Sequence, residues 1–242
     1  MPELGSQAAS SRVDMAPGRS RPVSAERSVR EVRKGYLGIS LGRLYYSTAR
    51  LNAYCAWASV NVAPDFGFLI GDDIYAITLQ AFSRMSEKRA LDRARQKGDD
   101  IARQLAKIGT ARGLAFTIVR WRELTARERY QAVLTAATAL RDNDEAFRQA
   151  LRQQAVINLK RRFEHSGPPT ARAERMWRLL ETYVIHEIAG LITMSEDLGY
   201  AVEVYPGPDL DVVRQIYDGK WRELRSVLPV KPVRGFCRLE LD

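Results

Sequence analysis

Three groups of residues in this chain have the types and spacings that acyl-group chemistry needs. Ser40 lies in Gly38-Ile39-Ser40-Leu41-Gly42, at the end of a short apolar run that starts at Tyr36. A serine where a strand turns toward a helix is exposed, and free N–H groups at a helix N-terminus favour a nucleophilic oxygen. Tyr183 and Glu187 stand four apart in an amphipathic stretch. A helix puts both on one face with Leu180, Val184 and Leu191, and a carboxylate on so apolar a face needs a partner or a task. Tyr205 ends the alternating run Val202-Glu203-Val204-Tyr205, which Pro206 stops. Parallel sheets bind ligands beyond the carboxyl ends of their strands, and Ser40 and Tyr205 both occupy such ends.

Gly-x-Ser-x-Gly also matches the nucleophile elbow of serine hydrolases, which requires a late histidine as base. The chain has two histidines, His165 and His186, both in or beside helical patterns. No His-Gly-Gly-Gly type motif precedes the serine. Taken singly, each group has a plain alternative: a tight turn at Ser40, a Glu187 paired with a surface arginine, an ordinary tyrosine ending a strand. A serine hydrolase and a non-catalytic RNA-binding protein therefore stay open on the residues alone.

Together and in this order, the three groups resemble the tRNA-dependent cyclodipeptide synthases over roughly Lys34 to Tyr217. Gly38-Ile39-Ser40 matches that family's serine motif, Tyr183 and Glu187 its Tyr-x-x-x-Glu helix, and Tyr205 its late strand-ending tyrosine. Arg43 three residues after the serine and Pro206 after the tyrosine resemble the X-Tyr-Pro branch. Lys34 and Ala189 depart from the familiar pattern, which touches the local backbone path rather than the reaction. The resemblance implies an aminoacyl-serine on Ser40, extended to a dipeptidyl-serine by a second aminoacyl-tRNA and released as a diketopiperazine. Tyr183 and Glu187 would hold an α-ammonium, with Glu187 relaying protons. Tyr205 would orient the intermediate, and Gly38 would leave room for substrate. The ester is already activated, so no ATP, other cofactor or metal is expected. The first-residue pocket maps to Tyr36, Phe68, Trp121, Leu191 and Glu203. Three bulky aromatics there imply a small first residue, Ala or Gly. The second maps to Gln154, Ile157 and Arg161 on one helix face, and Arg161 would pair with an acidic side chain, Glu before Asp. Lys88, Arg89, Arg93, Arg95 and Lys97 resemble a tRNA-binding helix, interrupted by Asp99 and Asp100.

Elements must position these groups. The chain has 242 residues, 45% of them hydrophobic, enough for one core. Lys+Arg exceed Asp+Glu by 38 to 29, which suits a polyanionic partner. Cys55 and Cys237 form no disulfide framework or metal spacing. No run reaches membrane-spanning length and the N-terminus lacks an apolar signal core, so a cytoplasmic protein with no membrane partner is expected, and a monomer. Residues 1–27, rich in Ser, Pro, Gly, Ala and Arg, read as a disordered tail, and 28–242 as one domain. Strands at Tyr36–Ser40, Phe66–Gly71, Leu114–Arg120, Ala201–Tyr205 and Phe236–Leu241 alternate with helices at Tyr45–Val60, Ile74–Phe82, Glu87–Ile108, Ala126–Leu140, Asp144–Phe163, Ala171–Met194 and Leu210–Tyr217. That order predicts an α/β, Rossmann-like, mainly parallel sheet with helices on both faces. The resembled family has the fold of the class I tyrosyl- and tryptophanyl-tRNA synthetase catalytic domain.

Overall fold

The structure, a computed structural model, describes residues 34–42, 46–61, 65–166, 173–200, 202–207, 209–227 and 235–238. The expected tail at 1–27 and Arg43 lie outside the described residues. Strands β1 (Lys34–Ser40), β2 (Asp65–Gly71), β3 (Thr117–Arg120), β4 (Val202–Tyr205) and β5 (Gly235–Arg238) form one sheet in the order β3-β2-β1-β4-β5. Every pairing is parallel. Between them run α1 (Thr48–Asn61), α2 (Asp72–Ser83), α3 (Glu87–Arg112), α4 (Trp121–Thr125), α5 (Glu128–Asn143), α6 (Glu145–Ser166), α7 (Ala173–Glu196) and α8 (Asp211–Tyr217). A 3-10 helix at Arg222–Val227 follows α8.

The strand order reverses direction at β1, because β2 and β4 flank it on opposite sides. A crevice opens at such a switch point, outside the carboxyl ends of the strands. Ser40 ends β1 and Tyr205 ends β4, so topology alone puts both on that crevice.

Alternation along the strands splits the core in two. Leu37, Ile39, Phe66, Phe68, Ile70, Val202 and Val204 face one side, against α1 and α3 residues such as Leu51, Tyr54, Ala90, Ala94 and Leu105. Tyr36, Leu69 and Val119 face the other, against α5, α6 and α7 residues including Val133, Leu151, Leu180 and Ile188. Gly38, Ser40, Glu203 and Tyr205 fall on this second side by the same period of two. On β1 the side chains of this side are small near the carboxyl end, Gly38 and Ser40, which leaves space beneath α7.

Two boundaries differ from the sequence reading in ways that matter for the site. Helix α1 starts at Thr48 rather than Tyr45. Ser47 accepts the Arg50 N–H at 3.4 Å, the hydroxyl cap that the tyrosines before it could not supply. Ser40 therefore does not open α1. Its register partner is Gly71, the residue that precedes α2, so α2 supplies the helix N-terminus beside it. The short α4 falls between the expected strand ending at Arg120 and the expected helix starting at Ala126, since a five-residue helix carries too few turns for a 3.6 period to show. Helix α3 stops at Gly113, whose φ of 63° is left-handed and suits glycine.

Candidate active site

Ser40 Oγ and Tyr205 Oη lie 3.0 Å apart across the crevice. Tyr46 donates to the Gly38 carbonyl at 2.7 Å, fixing the strand just before the serine. A cavity of about 320 Å³ opens here, lined by Gly38, Ser40, Leu69, Tyr75, Thr78, Trp121, Asn158, Tyr183, Glu187, Leu191, Glu203 and Tyr205 among others. The serine, both tyrosines and the helix glutamate thus meet in one space, although Glu187 lies 147 positions after Ser40 (187 minus 40).

Glu187 is held on both oxygens. Tyr183 donates to Oε1 at 2.9 Å and Asn158 Nδ2 to Oε2 at 2.7 Å. Gln154 Nε2 donates in turn to Asn158 Oδ1 at 2.9 Å. The Val212 N–H closes the chain onto Gln154 Oε1 at 3.3 Å. Helices α6, α7 and α8 are thereby tied to one carboxylate. Hydrogen bonds to an ionised acceptor are the stronger kind, and this one remains open to the cavity.

Cys55 and His186 lie outside this cavity. Burial pushes the Cys55 thiol up to about 11, which keeps it protonated. His186 sits on α7 outside the cavity, and burial pushes it down to about 4. No histidine lines the cavity among the described residues, and His165's side chain lies outside them. Among the described residues no cluster of His, Cys, Asp and Glu has metal-binding geometry.

A family model described as Cyclodipeptide synthase matches residues 22–220. The chain belongs to the cyclodipeptide synthase family. It is therefore a transferase that forms cyclic dipeptides from aminoacyl-tRNAs. A synthase from Fluoribacter dumoffii superposes with a TM-score of 0.70 at 18% identity, over 89% of this chain and 97% of that one. One from Bacillus thermoamylovorans gives 0.71 at 17%, over 92% and 96%. A Mycobacterium tuberculosis protein, described as demonstrating that cyclodipeptide synthetases are related to type I tRNA synthetases, gives 0.61 at 16%, over 88% and 87%. These likenesses carry the fold. No curated protein matched the sequence.

Four residues expected in the synthase's pockets, Tyr36, Phe68, Gln154 and Ile157, do not line this cavity. Phe68 is fully buried on the opposite face of the sheet, edge-on to Phe66 and Phe116 at 5.2 and 4.9 Å. Its register partner is Leu37, so the period of two turns it away, and its neighbour Leu69 lines the cavity instead. Ile157 is 49% exposed whereas Gln154 is 2% exposed. The buried stripe of α6 runs Leu151, Gln154, Ala155, Asn158, Leu159, a 3.6 period that carries Asn158, not Ile157, to the cavity. The sequence reading missed Asn158, and its signal was a polar pair at i and i+4 on an otherwise apolar face. Tyr36 lies on the cavity's side of the sheet but below it, 5.7 Å from the Tyr200 ring. Gly38, Trp121, Leu191 and Glu203 do line the cavity. The Arg161 side chain lies outside the described residues.

The basic helix α3 is divided. Lys88, Arg89 and Arg93 are exposed. Arg95 instead forks onto Asp73 at 2.9 and 2.8 Å, and Lys97 Nζ sits 5.3 Å over the ring of Tyr75. Asp99 is no gap in a basic surface: it accepts from Arg120 at 2.8 Å, and that bond holds its carboxyl below the usual range.

Proposed function

We propose that Ser40 is the nucleophile and that the reaction runs through aminoacyl-serine and dipeptidyl-serine esters, as in the X-Tyr-Pro branch that Pro206 and position 43 resemble. The observation that carries this reading is the meeting of Ser40, Tyr205, Tyr183 and Glu187 in one cavity at the switch point. Ser40 Oγ attacks the ester carbonyl of the first aminoacyl-tRNA. The acyl–ribose bond breaks, and the departing ribose oxygen takes the serine proton, which accounts for chemistry without a histidine base. Glu187, oriented by Tyr183 and Asn158, binds the α-ammonium of the acyl group and then removes its proton.

The freed amine attacks the ester of the second aminoacyl-tRNA, and its tRNA leaves. The opposite polarity, with the incoming amine attacking the serine ester, would leave the dipeptide on tRNA and not on Ser40. The new terminal amine then attacks the Ser40 ester, closing the six-membered ring and restoring the hydroxyl. Tyr205, already 3.0 Å from Ser40 Oγ, returns the proton to that oxygen.

The product is a small residue, Ala or Gly, joined to an acidic one, Glu before Asp. Trp121 lines the cavity, and in this reading its ring limits the space left for the first side chain. Arg161 follows Gln154 by seven residues and Asn158 by three, spacings that share a helix face, and a guanidinium there matches a carboxylate in a bidentate fork. Incubation with charged tRNAs and mass analysis of small products tests the whole reading. A diketopiperazine of Ala or Gly with Glu is expected, lost in Ser40→Ala while the thermal melt stays within a few degrees. Arg161→Ala should drop the preference for the acidic residue at unchanged tRNA affinity. Full product from Ser40→Ala would refute the covalent route, and uniformly weaker tRNA binding by Arg161→Ala would put that arginine on phosphate.

A further inference from the structure

Trp121 is held more firmly than a lining residue needs to be. Its backbone N–H donates to Asp72 Oδ1 at 3.0 Å. Its indole Nε1–H donates to Tyr130 Oη at 3.0 Å, and Tyr130 lies 2.6 Å from His186 Nδ1. An indole N–H only donates, so the Tyr130 oxygen accepts from it, and the His186 tautomer that leaves no Tyr130 proton unpaired is the one bare at Nδ1 with its hydrogen on Nε2. Burial keeps that ring neutral, and Tyr130 is itself fully buried, so the polarity does not reverse in ordinary buffers.

The far edge of the indole rests on α7. A Cβ at Gly190 would lie 2.4 Å from Trp121 Cη2 and 2.6 Å from Cζ2. Only a residue without a side chain leaves that seat empty, and the helix carries a glycine there although glycine is a poor helix former. Backbone, ring nitrogen and ring edge are thus fixed between them by three elements, α2, α5 and α7.

We propose that Tyr130 and His186 are positioning residues that set which amino acid the cavity admits, by holding the indole of Trp121 as a rigid wall. This rests on the reading of the cavity as the aminoacyl site. Neither residue lines the cavity, so neither touches substrate, and both act through the tryptophan. With Phe68 on the other face of the sheet and Tyr36 beneath the cavity, size selection at this wall falls to Trp121. A wall that cannot tilt excludes branched and aromatic side chains, whereas a loose one yields to them.

The experiment compares kcat/KM for alanyl-tRNA with that for leucyl- and phenylalanyl-tRNA in the full-length protein. Trp121→Phe should shift the ratio toward the larger substrates by about tenfold or more. Tyr130→Phe should shift it in the same direction, and so should His186→Leu. His186→Asn, whose side-chain oxygen can accept from Tyr130, should keep the wild-type ratio. On the Trp121→Phe background, Tyr130→Phe should shift the ratio no further, because the N–H it served is gone. An unmoved ratio in Trp121→Phe refutes the aminoacyl-site reading. A moved ratio there with an unmoved one in Tyr130→Phe, or equal additional shifts on both backgrounds, overturns the positioning role alone. If Tyr130→Phe does not fold, the contrast between His186→Leu and His186→Asn decides by the same ratio.

Discussion

At the scale of single residues, Glu187 is distinguished by its oriented charge. Glu187→Gln keeps the shape and removes the charge and the basic oxygen. Two neighbouring donors, Tyr183 and Asn158, then face an amide that satisfies only one of them as acceptor. Diketopiperazine formation is expected to fall by 100-fold or more, within the range of about 10²–10⁴ for loss of a proton-transferring group, with acylation of Ser40 by radiolabelled aminoacyl-tRNA still detectable. Wild-type product yield would make Glu187 a structural carboxylate. His186 gives a second test, through stability. Its ordinary pKa is 6.5, and burial lowers it to about 4 in the folded chain. Below about 6.5 the unfolded chain takes up a proton that the folded one refuses. Stability contributed by the neutral ring is therefore complete above pH 6.5 and declines as the pH falls toward 4, by on the order of 3 kcal/mol in all. Urea midpoints measured from pH 7 to 4 should fall less steeply in His186→Asn than in the wild type. Identical slopes would mean that the ring titrates normally.

At the scale of elements, the sheet holds α3 through a buried ion pair. Arg120, ending β3, donates from Nε to Asp72 at 2.7 Å and from a terminal nitrogen to Asp99 at 2.8 Å. Asp72 also receives the Trp121 N–H. A Cβ at Gly98 on α3 would meet Arg120 at 2.7 Å and Asp72 at 2.8 Å, so the helix approaches the pair as closely as glycine permits. Asp72 is fully buried. Asp72→Asn leaves a buried guanidinium half-compensated, and breaking such a pair costs about 3–5 kcal/mol. The melting temperature is expected to fall sharply, with selectivity at Trp121 relaxed in whatever fraction folds. A melt within a degree of wild type would show that Asp99 alone holds the arginine.

At the scale of the whole molecule, net charge and its placement govern the encounter with tRNA. Lys88, Arg89 and Arg93 project from α3 on the side away from its docked stripe of Ala90, Ala94 and Gly98. Neutralising all three should weaken binding of every aminoacyl-tRNA alike. It should also lessen the slope of log affinity against log salt by up to about 2, with little change in product identity. Arg95→Gln, by contrast, should cost stability before affinity, because Arg95 is committed to Asp73. An unchanged salt slope in the triple variant would move the tRNA footprint off this helix.

The chain by itself determined the class of fold, through strands separated by helices, and it put Ser40 and Tyr205 at strand ends and Tyr183 with Glu187 on one helix face. Each of those groups alone has a plain alternative, and only their joint resemblance to the cyclodipeptide synthases singled them out. Only the tertiary structure decided which faces meet. Phe68 and Leu69 are adjacent in sequence and both apolar, and nothing local says which one looks into the cavity; the register of β2 on β1 does. Ile157 and Asn158 are equally adjacent, and polarity alone favours the wrong one, because a buried asparagine is tolerated only where a partner such as Glu187 is brought to it from another helix. The locking of Trp121 by Tyr130, His186 and Gly190 is likewise invisible along the chain, since it joins residues from 9 to 69 positions away from the tryptophan (130 minus 121 and 190 minus 121). Periodicity reports how each element faces its neighbours, whereas hydrogen bonds between elements exist only once the packing has chosen those neighbours.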